Sequence, residues 1–179
     1  MHRLNLNPFP VLETERLLLR QLTNDDAQEI FIHRSDKRIL EFIDIPVAKS
    51  MEDALAFISK INNFIAANES AYWGIQLKGR QEIIGSICLW NVDYEEEKAE
   101  TGYVLHPDFQ GKGYMQESIT AVIKFGFQKL NLKKMVAEVR HDNLPSIKLL
   151  RRNGFAFDSV SEDYEIYSLQ NPLRETVAG

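Results

Sequence analysis

The spacing of apolar side chains changes along this chain, and the changes mark out its elements. After Ser50, the residues Ala54, Phe57, Ile58, Ile61, Phe64 and Ile65 recur at helical spacing. Ser50 stands where an N-cap is wanted, with Asp53 three residues on, close to a capping box. Met115, Ile119, Val122, Ile123, Phe127 and Leu130 form a second stripe, which predicts a long helix from Met115 to Leu130. Two shorter helices are expected. One follows Thr23 or Asn24 as cap, with Asp25 and Asp26 in its first turn. The other runs through "NLPSIKLLRRNGF", with Pro145 in its first turn and Gly154 in a C-cap role.

Between these helices the period falls to two. Thr14 to Leu22 reads as an opening strand, and "AYWGIQLKGRQEIIGSICLWNVD" as two strands joined at Lys78 to Gln81. Ala99 to Pro107, "KKMVAEVRHDN" and a closing hairpin, "FAFDSV" with "DYEIYSLQ", complete the set. The strand–helix–strand unit from Ala99 to Asn143 requires at least one parallel pair. The expected architecture is one mixed α/β (α+β) domain over residues 1–170. Its sheet is seven-stranded and mostly antiparallel, with one splayed parallel pair and about four flanking helices. Residues 171–179 are expected to be a flexible tail. A cleft should open at the carboxyl ends of the parallel strands.

Composition narrows the class. A chain of 179 residues that is 44% hydrophobic suits a single domain with a real core. No apolar run approaches membrane-spanning length, and the first twenty residues lack a signal-peptide pattern. The single cysteine, Cys88, forms no internal disulfide and sits in the run "IIGSICLW", which reads as buried strand. One cysteine and scattered histidines make no metal cluster. The expectation is a cytoplasmic, metal-free protein, monomer or homodimer, without membrane or nucleic-acid partners. The net charge of −5 hides an asymmetry: Pro107 to Gly154 holds nine Lys/Arg against four Asp/Glu. That half leans toward a polyanion, although uneven surface charge alone has the same appearance.

The long helix is preceded by Gly111-Lys112-Gly113. A helix N-terminus presents unpaired N–H groups and partial positive charge, which suits a phosphate if no side chain blocks it. Gly111 and Gly113 remove two β-carbons there, and Lys112 adds a cation. The same three residues also make an ordinary exposed turn, and they match neither G-x-x-x-x-G-K-[ST] nor G-x-G-x-x-G.

Gln110-Gly111-Lys112-Gly113-Tyr114-Met115 resembles the [Q/R]-x-x-G-x-[G/A] pyrophosphate loop of the GNAT superfamily of acyl-CoA-dependent N-acetyltransferases. "AETGYVLHPDFQGKG", "NLPSIKLLRRNGF" and the opening "LETERLLLRQLTNDDA" are similar to its RimJ/RimL branch, which includes ribosomal-protein N-terminal acetyltransferases. The resemblance covers nearly the whole chain. It implies a GNAT-like fold, acetyl-CoA as co-substrate and an amine acceptor, a protein N-terminus or a small molecule. A non-catalytic acyl-CoA-binding module is the alternative of a different class. Two positions depart from the pattern. Met115 stands where Gly or Ala is usual, and Leu150 stands where other members carry a tyrosine acid.

The implied reaction needs a neutral amine, a stabilised oxyanion and a protonated leaving thiol. Glu100 is the first candidate base, directly or through a water; its alternative is a solvent-facing or structural strand residue. Glu138 in "MVAEVR" is the rival, its flanking Val136 and Ala137 suggesting partial burial. Ser146 resembles the branch's serine at the coenzyme sulfur, or else serves its own helix cap. Asn143 is expected to cap that helix and bond the pantetheine arm. Val104 and Leu105 are expected to offer backbone groups to that arm, with the oxyanion donor an N–H near Leu105. Phe42, Trp73, Trp90 and Tyr164 are candidates for the acceptor wall, with core packing as their alternative.

Overall fold

The chain builds one open sheet against which helices pack on both faces. The computed structural model describes residues 4–175. Its strands are β1 (Leu12–Glu13), β2 (Leu17–Arg20), β3 (Ala71–Leu77), β4 (Ile83–Asp93), β5 (Lys98–Leu105), β6 (Lys134–Arg140), β7 (Ala156–Ser161) and β8 (Tyr164–Gln170). They lie in the order β1-β2-β3-β4-β5-β6-β8-β7, and only β5 and β6 are parallel. The helices are α1 (Ala27–His33), α2 (Lys37–Leu40), α3 (Met51–Ala66), α4 (Tyr114–Lys124), α5 (Leu144–Arg152) and α6 (Pro172–Glu175). No helix among the described residues is long and apolar enough to cross a membrane.

The sheet has eight strands rather than the seven expected. The opening run is interrupted: Thr14 N–H donates to the carbonyl of Leu17, and Leu17 N–H donates back to the Thr14 hydroxyl oxygen, so the chain folds back. Leu12 and Glu13 then pair antiparallel with Leu19 and Leu18. The helix count exceeds four because α2 and α6 are single turns too short to carry a periodic signal. The expected Met115–Leu130 helix is α-helical to Lys124 and continues as a π-turn from Phe125 to Lys129.

Strand alternation assigns the faces. Tyr72 and Trp73 are neighbours on β3 and point opposite ways. The Tyr72 ring meets Phe57 of α3 at 5.8 Å, and the Trp73 ring meets Phe125, just past α4, at 5.4 Å. One face is therefore covered by α3 and the other by α4. Helix α5 lies beside α4, joined by paired amides of Gln116 and Asn153. Ile119 and Val122 of α4, Leu150 of α5, and Trp73, Ile87 and Leu89 of the sheet are all fully buried. Burying each such side chain is worth about 1.5–3 kcal/mol. Trp73, a candidate acceptor residue, belongs to this core and donates its indole N–H to the carbonyl of Pro10.

The segment after β8 is tied down, contrary to the flexible tail expected from 171. Asn171 is 2% exposed, its backbone N–H bonds the carbonyl of Lys133, and its amide bonds that of Leu132 at 2.7 Å. Arg174 pairs with Glu97. The expectation for 176–179 lies outside the described residues.

Candidate active site

β5 and β6 pair only over Lys98↔Lys134, Ala99↔Met135 and Glu100↔Val136. Beyond that point each strand keeps its outer partner. β5 stays with β4 as far as Gly85↔Leu105, and β6 stays with β8 as far as Arg140↔Tyr164. The inner edges separate, and a cavity of about 1230 Å³ occupies the gap.

One end of the cavity is the glycine turn. Gly111 and Gly113 have φ of +72° and +81°, left-handed values that side chains disfavour. A β-carbon added at Gly111 meets open space, so the turn is bare on that side. Gln110, Gly111, Gly113, Tyr114 and Met115 line the cavity. The amide of Gln110 is turned onto the carbonyl of Leu105 at 3.0 Å. Lys112 does not line the cavity. Its ammonium donates to the carbonyl of Asp108 at 2.8 Å and lies over the Phe109 ring. Met115 is 8% exposed and packs into the core, so its side chain stays clear of the turn.

The splay itself collects the polar groups. Asn143 accepts from the N–H of Ser146, capping α5 as expected, and both residues line the cavity with Val104 and Leu105. The carbonyl of Val104 lies directly over Gly85, where any β-carbon would collide with it. In a trans peptide the next N–H points the opposite way. The N–H of Leu105 is therefore aimed away from β4, toward the side on which β5 has lost its partner.

Glu100 and Glu138 come from the face covered by α3. Glu100 is 9% exposed and accepts from the amide of Asn91 at 3.4 Å. Burial, with the charge of Glu138 adding to it, raises its pKa above the ordinary value, while Asn91 opposes the shift. Glu138 is exposed, not partly buried: its neighbours Ala137 and Val139 point into the core, and alternation turns Glu138 the other way. Cys88 lines the same cavity, its thiol kept protonated by burial with a pKa pushed up to about 12. Phe42, Trp90 and Tyr164 are wall residues there.

The opposite face supplies hydroxyls. Tyr103 Oη and Ser146 Oγ are 2.7 Å apart. Burial pushes the Tyr103 phenol up to about 12, so it remains neutral and able to donate. Sequence reading had placed Tyr103 in a strand and assigned it nothing. Its only signal was a polar-tipped aromatic two residues before the strand's end, in a run already suspected of function. Leu150 is fully buried beneath α5, so no acid stands at that position.

Bare amides at one end of a cleft between parting strands, with carboxylates and hydroxyls facing across it, are the build of an acyltransferase. The family model described as Acetyltransferase (GNAT) domain matches residues 16–156. The chain belongs to that family: it is an N-acetyltransferase that uses acetyl-CoA. It is 33% identical over 156 residues to the uncharacterized N-acetyltransferase YoaA of Bacillus subtilis, covering 87% of this chain and 88% of that one. It is 28% identical over 158 residues to the [ribosomal protein uS5]-alanine N-acetyltransferase of Escherichia coli, covering 86% and 81%. Among solved structures, RimL, the ribosomal L7/L12 α-N-protein acetyltransferase in complex with coenzyme A, superposes with a TM-score of 0.81 at 19% identity, covering 90% of this chain and 98% of that one.

Proposed function

We propose that the acceptor is the α-amine of a polypeptide chain and that the splayed cleft holds acetyl-CoA. The observation that carries this reading is the form of the cavity beyond Glu100. It does not close behind the carboxylates but runs out to Trp90 and Phe64, which are 47% and 36% exposed at its rim. A chain following the reacting amine has room to leave. The volume also exceeds the ~300–1,000 Å³ usual for a single small-ligand site. The names of the Escherichia coli relative and of RimL point the same way.

The turn at Gly111 and Gly113 holds the coenzyme's diphosphate by backbone amides. Val104, Leu105 and Asn143 hold the pantetheine arm as an added strand would be held. When bound, the coenzyme supplies an activated acetyl thioester. Glu100 takes the proton of the attacking amine, directly or through a water. An α-amine with pKa near 8 is already roughly a tenth to a fifth neutral at pH 7, so one carboxylate of raised pKa suffices. A lysine side chain is less than about one-thousandth neutral and asks for more. The N–H of Leu105 receives the carbonyl oxygen as charge grows on it. Ser146 donates toward the departing sulfur, with Tyr103 behind it.

A thiol-release assay with an amine panel tests the acceptor. Release with unblocked peptides, and not with N-acetylated copies or with polyamines and free amino acids, is expected. Release only with the small amines overturns the polypeptide reading.

A further inference from the structure

The opening run of the chain contains a motif that the chemistry above leaves unused, Thr14-Glu15-Arg16. It lies at the bend between β1 and β2, about a hundred residues from the glycine turn in sequence and in direct contact with it in space. The carboxylate of Glu117, in the first turn of α4, accepts from the Thr14 hydroxyl at 2.5 Å, from the Arg16 backbone N–H at 2.8 Å and from Arg16 Nε at 2.8 Å. The far end of the same guanidinium donates from Nη1 to the carbonyl of Lys112 at 3.0 Å. Its Cζ lies over the Tyr114 ring, 4.6 Å from the centroid. Arg16 does not line the cavity.

We infer that Arg16 is a positioning residue for coenzyme binding, acting through the glycine turn from behind. Two physical arguments carry this. The first is geometric. Holding the Lys112 carbonyl on the Arg16 side fixes the 112–113 peptide, and the trans geometry then turns the N–H of Gly113 to the other side. A turn of two glycines has little preference of its own, so this orientation has to come from outside the turn. The second is electrostatic. Glu117 sits one turn into the helix whose N-terminus is to hold an anion. Uncompensated, its charge would oppose the diphosphate. Arg16 pairs it, through a planar fork that a lysine cannot reproduce. The proposal rests on the assignment of the glycine turn to the diphosphate.

The test compares wild type, Arg16→Met, Arg16→Lys and Gly113→Val for coenzyme A affinity by calorimetry. Arg16→Met is expected to weaken binding about tenfold or more, the worth of a lost charge-assisted hydrogen bond, with Arg16→Lys losing less. In the thiol-release assay Arg16→Met should raise the KM for acetyl-CoA at nearly constant kcat. It should leave kcat/KM unchanged for S-acetylpantetheine, which carries the thioester arm without the diphosphate. Equal losses with both donors would mean general damage and overturn the proposal. Unchanged affinity in Arg16→Met alongside weakened Gly113→Val overturns the proposal and leaves the turn assignment standing. If neither variant weakens binding, the turn assignment falls as well. Should Arg16→Met not fold, Arg16→Lys, which keeps stem and charge, carries the same comparison.

Discussion

The phenol of Tyr103 and the hydroxyl of Ser146 form a 2.7 Å hydrogen bond across the space between β5 and α5. A phenol held neutral by burial keeps a proton to donate. If it donates to Ser146 Oγ, the serine's own proton is directed elsewhere, into the cleft. Tyr103→Phe is therefore expected to lower kcat about tenfold, the worth of one such bond, at nearly constant KM for acetyl-CoA. Ser146→Ala combined with Tyr103→Phe should cost little more than Ser146→Ala alone, because the two act as a unit. The loss should shrink with a thioester whose thiol is more acidic. Additive losses, insensitive to the thiol, would refute the coupling.

Glu100→Gln tests the base and has a second readout. With the pKa of Glu100 raised by burial, kcat/KM should fall as pH drops through that raised value. The variant should lose about a hundredfold in rate and lose that acid limb. A carboxylate whose pKa is higher in the fold than in the open chain destabilises the fold once pH exceeds both values. Glu100→Gln should therefore melt at a higher temperature than wild type at pH 7. Glu138→Gln producing the rate loss, with Glu100→Gln silent, would move the base to Glu138.

Gly85 allows the Val104 carbonyl to lie over β4. Gly85→Ala should push β5 outward and misdirect the Leu105 N–H. The expected cost is about 1–3 kcal/mol of stability, together with a fall in kcat larger than the change in KM. Denaturant unfolding and steady-state kinetics on one preparation check both.

His33 gives a pH-dependent stability. It is 5% exposed, its Nδ1 has no hydrogen-bond partner among the described residues, and the His106 ring lies 6.1 Å away. Burial first, then His106, lowers its pKa from 6.5 to about 4. Between those values the open chain takes up the proton and the fold does not, so stability falls as pH drops through that window. The contribution is about 3 kcal/mol across it. His33→Gln should flatten the difference curve between pH 4 and 6.5 in chemical denaturation; a curve parallel to wild type would refute the assignment.

The parts of the molecule that sequence made legible are those written in local pattern. The stripe from Met115, the β3–β4 and β7–β8 hairpins, the parallel pair and the Asn143 cap each depend on residues close together in the chain. Glu100, Ser146, Asn143, Val104 and Leu105 do meet at one cleft, because β5, β6 and α5 are consecutive. What was not legible depends on distant partners. Glu117 is about a hundred residues from Arg16, and nothing around either announces the other. Lys112 stood where a phosphate ligand was expected, but its long stem carries the ammonium back to Asp108. Glu138 was judged by Ala137, which belongs to the other side of the strand, and by Val136, which shares its face and is itself only half-buried.

The anchoring of Asn171 and Arg174 has a practical outcome. Their partners, Lys133, Leu132 and Glu97, stand at the starting ends of β5 and β6, where the two strands are still joined. The described chain thus ends at the shut side of the V, with the whole length of the paired strands between it and the opening. A label carried on the exposed Leu173 therefore sets out from the joined end of β5 and β6 and leaves the glycine turn clear.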